Sequence, residues 1–130
     1  MVSEHGHHEE LIAGITKEFK SVLDDSPQGI YIYLDDEHKV CNSKFAAMLG
    51  YGSAKEWDEI DAPLADVVEE DQGVVVKAYG AASEQLRASH AEVRFKNVKT
   101  GRIAKASMIM VPVAFQGHTF VLHFFDKARS

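Results

Sequence analysis

Leu11, Ile12, Ile15, Phe19, Val22 and Leu23 recur at steps of three and four along residues 11 to 25, the spacing that lines one face of an α-helix. Ser26-Pro27 and Gly29 close this run, because the proline ring excludes continuation of a helix. Within it, Ile12, Ile15, Phe19 and Val22 follow a pattern that also suits a short seam between two helices. Residues 1 to 10, MVSEHGHHEE, lack any such period and are expected to form a flexible lead-in. GIYIYL, residues 29 to 34, is rich in β-branched and aromatic residues and reads as a strand ending in the acidic turn Asp35-Asp36-Glu37. A very short second strand fits Lys39-Val40-Cys41. Asn42 or Ser43 then caps a brief helix with Phe45, Met48 and Leu49 on one face and Gly50 at its end. Short helical turns are expected near residues 54 to 57 and 63 to 68, followed by a long helix from 71 to about 86 carried by Val75, Ala78, Tyr79, Ala82 and Leu86.

The last third changes its period to two, the mark of antiparallel strands. AEVRFKN alternates Val93 and Phe95 with Glu92, Arg94 and Lys96, so one face is buried and the other wet. Residues 103 to 115 and 118 to 125 form a hairpin around Gln116-Gly117, and both strands are apolar on both faces. The expected interior set is Ala106, Met108 and Met110 with Phe120, Leu122 and Phe124. The expected outer set is Ile109, Val111 and Val113 with Val121, His123 and Phe125. Because monomers rarely expose a large apolar patch, the outer set needs a cover, either the N-terminal helix or a second subunit.

With 130 residues, 45% of them hydrophobic and 26% charged, the chain has the size and composition of one folded domain. A formal net charge of -6 supplies no positive field for phosphate backbones or anionic lipid, so no nucleic-acid partner is expected. Apolar stretches are too short to span a bilayer, and no basic-then-apolar leader opens the chain, which points to a cytoplasmic protein with no membrane partner. Cys41 is the single cysteine, which rules out an internal disulfide.

Five segments, in order, resemble the landmarks of the PAS family. SPQGIYIYLDD resembles its entry strand, VCNSKFAAMLGY its asparagine-to-Gly-Tyr helix, and VVEEDQ the acidic cap of its long helix. EVRFKNVKTG resembles its strand and glycine turn, and FFDKA places Asp126 where many members end the last strand in an Asp-Ile-Thr junction. The likeness covers residues 24 to 127. It departs in the short link from Asp36 to Asn42, which stunts the second strand, and in Lys127-Ala128, which replaces Ile-Thr. The resemblance implies an α+β fold: a five-stranded antiparallel sheet, short helices and one long helix on one face, and a flanking N-terminal helix on the other. It also implies a sensory or signal-transduction domain rather than an enzyme, divided into a tail at 1 to 10, a flanking helix at 11 to 25 and a PAS-like domain at 26 to 127.

No catalytic residues stand out, since neither GxxxxGK[ST] nor GxGxxG occurs and no nucleophile has an evident base. The light-sensing branch of the family uses a cysteine on the short helix before the long one, and DAPLADVVEEDQ has none. Haem-binding relatives place a histidine on the long helix, and residues 71 to 86 have none, leaving only His90 and His123 as remote options. No flavin, haem or other cofactor is therefore expected. His5, His7 and His8 beside Glu9 and Glu10 are competent metal donors, but a solvated or appended tail is the simpler reading, and no metal site is assigned. The candidate ligand chamber is Val75, Tyr79, Val93, Phe95, Ala106, Met108, Met110, Leu122 and Phe124. Its methionines and Tyr79 suit a packed core as readily as a chamber. The candidate homodimer interface is Ile12, Ile15, Phe19 and Val22 with Ile109, Val111, Val121, His123 and Phe125. Two functions remain open: a sensor of an unknown small molecule or signalling partner, and a ligand-free dimerisation scaffold.

Overall fold

The structure, a computed structural model, describes residues 4–127, with side chains from residue 7 onward. The side chain of His5 and the junction residue Ala128 lie outside the described residues. The chain opens with α1 (Glu4–Glu18) and α2 (Lys20–Asp25). The segment expected as a lead-in is thus helical from Glu4, and the expected single helix is broken at Phe19, whose φ of -99° and ψ of 12° depart from helical values. Docking explains the extension, since isolated short helices are marginal in water and most helical stability comes from packing an apolar face. Leu11, Ile12 and Ile15 supply that face, all buried against the sheet.

Strands β1 (Gly29–Asp35) and β2 (His38–Cys41) form a tight hairpin, followed by α3 (Ser43–Leu49), α4 (Ala54–Asp58) and a 3-10 turn at Pro63–Asp66. The long helix α5 (Glu69–Ser83) leads into β3 (Ser89–Lys96), β4 (Ile103–Phe115) and β5 (His118–Lys127). The sheet has five strands in the order β2-β1-β5-β4-β3, every neighbouring pair antiparallel. The expected α+β architecture is the one observed.

Asn42 caps α3 by accepting the Phe45 N–H at 2.9 Å, and the same oxygen accepts the Ile30 N–H of β1 at 3.0 Å. Gly50 ends α3 at φ 88°, a left-handed position where a β-carbon would also collide with the Asn97 side chain. Asp71, in the first turn of α5, accepts the Arg94 backbone N–H at 2.7 Å and both Nε and Nη2 of its guanidinium at 3.0 Å. That fork fixes the start of α5 on β3 and matches the favourable sign of the helix dipole.

The sheet separates two apolar layers. On one side Tyr31, Val93, Phe95, Ala106, Met108, Met110, Val121 and Phe125 pack with α3, α4 and α5. On the other, Ile30, Ile32, Phe120 and Leu122 pack with α1. This corrects the expected faces of β5. Phe115 pairs with His118 across a two-residue turn whose Gln116 and Gly117 both have positive φ, 48° and 80°. Even-numbered residues of β4 therefore oppose odd-numbered residues of β5: Met108 faces Phe125, and Met110 faces His123. Opposed residues share a face, so Leu122 and Phe124 lie on the α1 side, while Val121, His123 and Phe125 point inward.

Candidate functional site

Three elements converge over the inner face of the sheet. From α5 come Val75 and Tyr79; from α3 and α4 come Phe45, Leu49 and Trp57; and the 3-10 turn adds Leu64. Below them lie Tyr31, Phe95, Met108, His123 and Phe125. Between these layers is a cavity of about 250 Å3, with Tyr33, Asp36 and Asp66 also in its wall.

The expected chamber is thus partly assembled. Val75, Tyr79, Phe95 and Met108 line it. Val93, Ala106 and Met110 are buried in the same core but do not line the cavity, and Leu122 and Phe124 are removed to the opposite face by the hairpin register. Tyr31, Phe45, Trp57, His123 and Phe125 join the wall although none was expected there. For Tyr31 and Tyr33 a signal existed, because in GIYIYL they alternate with Ile30 and Ile32 and must share the other face.

An aromatic stack dominates the floor. The His123 ring lies 3.8 Å from that of Tyr31, centroid to centroid, tilted by 12°, and parallel within 11° to the more distant Tyr79 ring. Its Nδ1 sits 3.1 Å from the Val121 carbonyl oxygen. Burial pushes the imidazole down to about 3, so at neutral pH it is an uncharged ring. Burial also raises the Tyr31 and Tyr79 hydroxyls, which therefore act as neutral hydrogen-bonding groups. Tyr33 donates to Asp36, and Tyr51 donates to Asp66 at 2.5 Å; burial outweighs the lowering effect of that bond and lifts the Asp66 carboxyl above its usual range.

A second polar cluster braces the wall at Trp57. Lys39 is buried, and its ammonium donates to the carbonyls of Asp36 at 2.5 Å, Asp58 at 3.1 Å and Ile60 at 2.5 Å. These three acceptors match its three donors, and Nζ also lies 5.4 Å from the Trp57 ring centroid. Desolvation lowers the Lys39 pKa, and desolvation lifts Asp58 to about 6. Cys41 is buried against α4, its Sγ 3.7 Å from the Ala54 carbonyl, and burial pushes its thiol up.

The expected interface is dispersed. Ile12 and Ile15 are covered by the chain's own sheet, and Val121, His123 and Phe125 face the interior. Phe19 and Val111 are partly buried beside α1, whereas Val22 and Ile109 remain exposed.

No family model and no curated protein matches the sequence. Solved structures do. A PAS domain from a Colwellia psychrerythraea protein superposes with a TM-score of 0.68 at 18% identity, covering 88% of this chain and 97% of that one. The PAS domain of the fruit-fly ELK potassium channel gives 0.64 at 16% identity over 92% and 98%. A PAS domain from a two-component sensor histidine kinase gives 0.66 at 15% identity over 89% and 99%. The fold is that of a PAS domain. Within this PAS fold the cavity lies between the inner face of the sheet and the helices α3, α4 and α5, and α1 lies across the outer face. Among the described residues no helix is long and apolar enough to cross a membrane.

Proposed function

We propose that this PAS-fold chain is a sensory or signal-transduction domain, not itself catalytic, which binds a compact and largely apolar small molecule beneath α5. The cavity of about 250 Å3 is the observation that carries this reading. It lies just under the roughly 300–1,000 Å3 of typical ligand pockets, so its occupant is small, the size of one ring or a short chain. The lining includes Asp36 and Asp66 but no lysine or arginine, which disfavours an anion. Neutral His123 and the hydroxyls of Tyr31 and Tyr79 suit an uncharged ligand with one or two polar atoms. A ligand with unequal affinity for two packings of α5 on the sheet shifts the balance between them. The similar PAS domains of a sensor kinase and a channel support a signalling role.

The informative substitution is at Val75, which lines the cavity from α5. Val75→Phe should fill the space and keep a near-normal melting temperature, whereas overpacking a filled core costs about 1–3 kcal/mol. Native mass spectrometry of gently purified wild type should show a retained small mass that Val75→Phe lacks. A wild type with no adduct, together with a Val75→Phe variant that loses stability, would count against the sensor. A second reading, a ligand-free homodimerisation module working with a partner protein, is favoured by the exposure of Val22 (40%) and Ile109 (41%).

A further inference from the structure

Of the seven histidines in the chain, His7, His8, His38 and His118 gather at one end of strands β1, β2 and β5. His7 and His8 come from α1, His38 from the start of β2 and His118 from the start of β5. The His8 ring centroid lies 5.3 Å from that of His38 and 5.4 Å from that of His118, and His7 lies 5.1 Å from His118. Asp35 stands among them. Nitrogen or oxygen donor atoms of His8, Asp35 and His38 all lie within 4.8 Å of one another.

We propose that His8 Nδ1, the Asp35 carboxylate and His38 Nδ1 form a binding site for a divalent transition metal of the zinc class, with Glu9 bracing the far nitrogen of His38. The donor chemistry is right, because imidazole nitrogen and carboxylate oxygen are the ligands such ions take outside thiolate sites. The spacing is right as well. Ligand atoms about 2.0–2.2 Å from a tetrahedral zinc ion stand roughly 3.3–3.6 Å apart. Asp35 Oδ2 is 3.7 Å from His8 Nδ1 and Asp35 Oδ1 is 2.7 Å from His38 Nδ1, so a small shift of the carboxylate brings all three donors to that spacing.

Half of the site is already held in place. Asp35 Oδ1 accepts the backbone N–H groups of Glu37 at 3.0 Å and His38 at 2.8 Å, and it lies 2.7 Å from His38 Nδ1. Glu9 Oε1 stands 3.6 Å from His38 Nε2, and a carboxylate on that far nitrogen fixes the imidazole and turns Nδ1 toward a metal. His38 is 4% exposed, which restrains its ring further. His8 and Glu9, by contrast, arrive on α1. Binding would join α1 to the β1–β2 turn and thereby set the position of the helix that covers the outer face of the sheet.

A histidine-rich N-terminus can also chelate metal by itself, so the deciding variant is at Asp35, far from it in sequence. Full-length protein is stripped with a chelator and titrated with zinc by calorimetry, and with cobalt(II) by visible absorption. The expected results are one zinc per chain, a raised melting temperature and a cobalt band of tetrahedral intensity. Asp35→Asn and His8→Gln should each weaken zinc binding by at least about 10-fold, with circular dichroism confirming that the variants fold. Because His38 is buried, His38→Gln is judged only by the cobalt band in folded protein. Undiminished affinity in Asp35→Asn, or zinc that fails to raise the wild-type melting temperature at sub-millimolar concentration, overturns the proposal. The first outcome assigns the metal to the N-terminal histidines alone, and the second leaves the cluster as polar contacts that only tie α1 to the β1–β2 turn.

Discussion

His123 carries a group that titrates near neutrality into a place that refuses its charge. In the unfolded chain its imidazole accepts a proton around 6.5, whereas the folded ring resists until about 3. Between those values the unfolded state binds more protons, so this residue's contribution is complete above about pH 6.5 and is lost as pH falls toward 3. Asp58 has the opposite slope. Its carboxyl is lifted from 3.8 to about 6 by burial, so the fold binds the extra proton and gains stability as pH falls through that window. His123→Phe keeps a flat ring on Tyr31 without the titrating nitrogen. Its stability, followed by denaturant unfolding across pH 3 to 7, is expected to lose less on acidification than the wild type does. Parallel pH curves for the two proteins would refute the assignment.

Among the elements, the β1–α3 connection depends most on one side chain. Asn42 is 5% exposed; its oxygen accepts the Ile30 and Phe45 N–H groups, and its Nδ2 donates to the Gln28 carbonyl at 3.0 Å. Asn42→Ala removes a helix cap and strands a buried strand N–H, a combined loss of about 2–4 kcal/mol. A change under about 0.5 kcal/mol in urea unfolding would show that water replaces both bonds. Asn42 as a cap was legible from sequence, because capping is a local matter of a few residues. The faces of β5 were not. Alternation alone leaves two registers for a strand that is apolar on both sides, and only the left-handed pair Gln116-Gly117 selects between them. For the same reason the cavity emerged in part: Val75, Tyr79, Phe95 and Met108 followed from period, while His123 and Phe125 required the pairing. Lys39 gave no signal, since its carbonyl partners at Asp58 and Ile60 lie about twenty residues away in sequence. The histidine cluster was equally hidden, because α1 had to extend back to Glu4 before His8 could meet His38.

For the molecule as a whole, α1 is the cover that the outer sheet face required. Its own Leu11 and Ile15 are each 1% exposed against the sheet, so the apolar area left for a second subunit is far smaller than the strand sequences suggest. If the chain nevertheless pairs with itself through the expected face, contact falls on the two members of that set that stay exposed, Val22 on α2 and Ile109 on β4. Light scattering at high micromolar concentration should then show a dimer that Val22→Glu with Ile109→Glu converts to monomer without lowering the melting temperature. A monomeric wild type removes the dimerisation reading and leaves the cavity reading untouched.

The strand β5 occupies the middle of the sheet and shows a different face to each layer. His123 and Phe125 belong to the cavity, while Leu122 and Phe124 belong to the underside of α1. These side chains hang from consecutive α-carbons about 3.8 Å apart. The partition between the cavity and the flanking helix is therefore a single peptide plane thick. On the proposed function, a movement at the ring of His123 would need no relay of contacts to reach α1, because tilting one peptide bond would turn both sides at once, like the two ends of a seesaw.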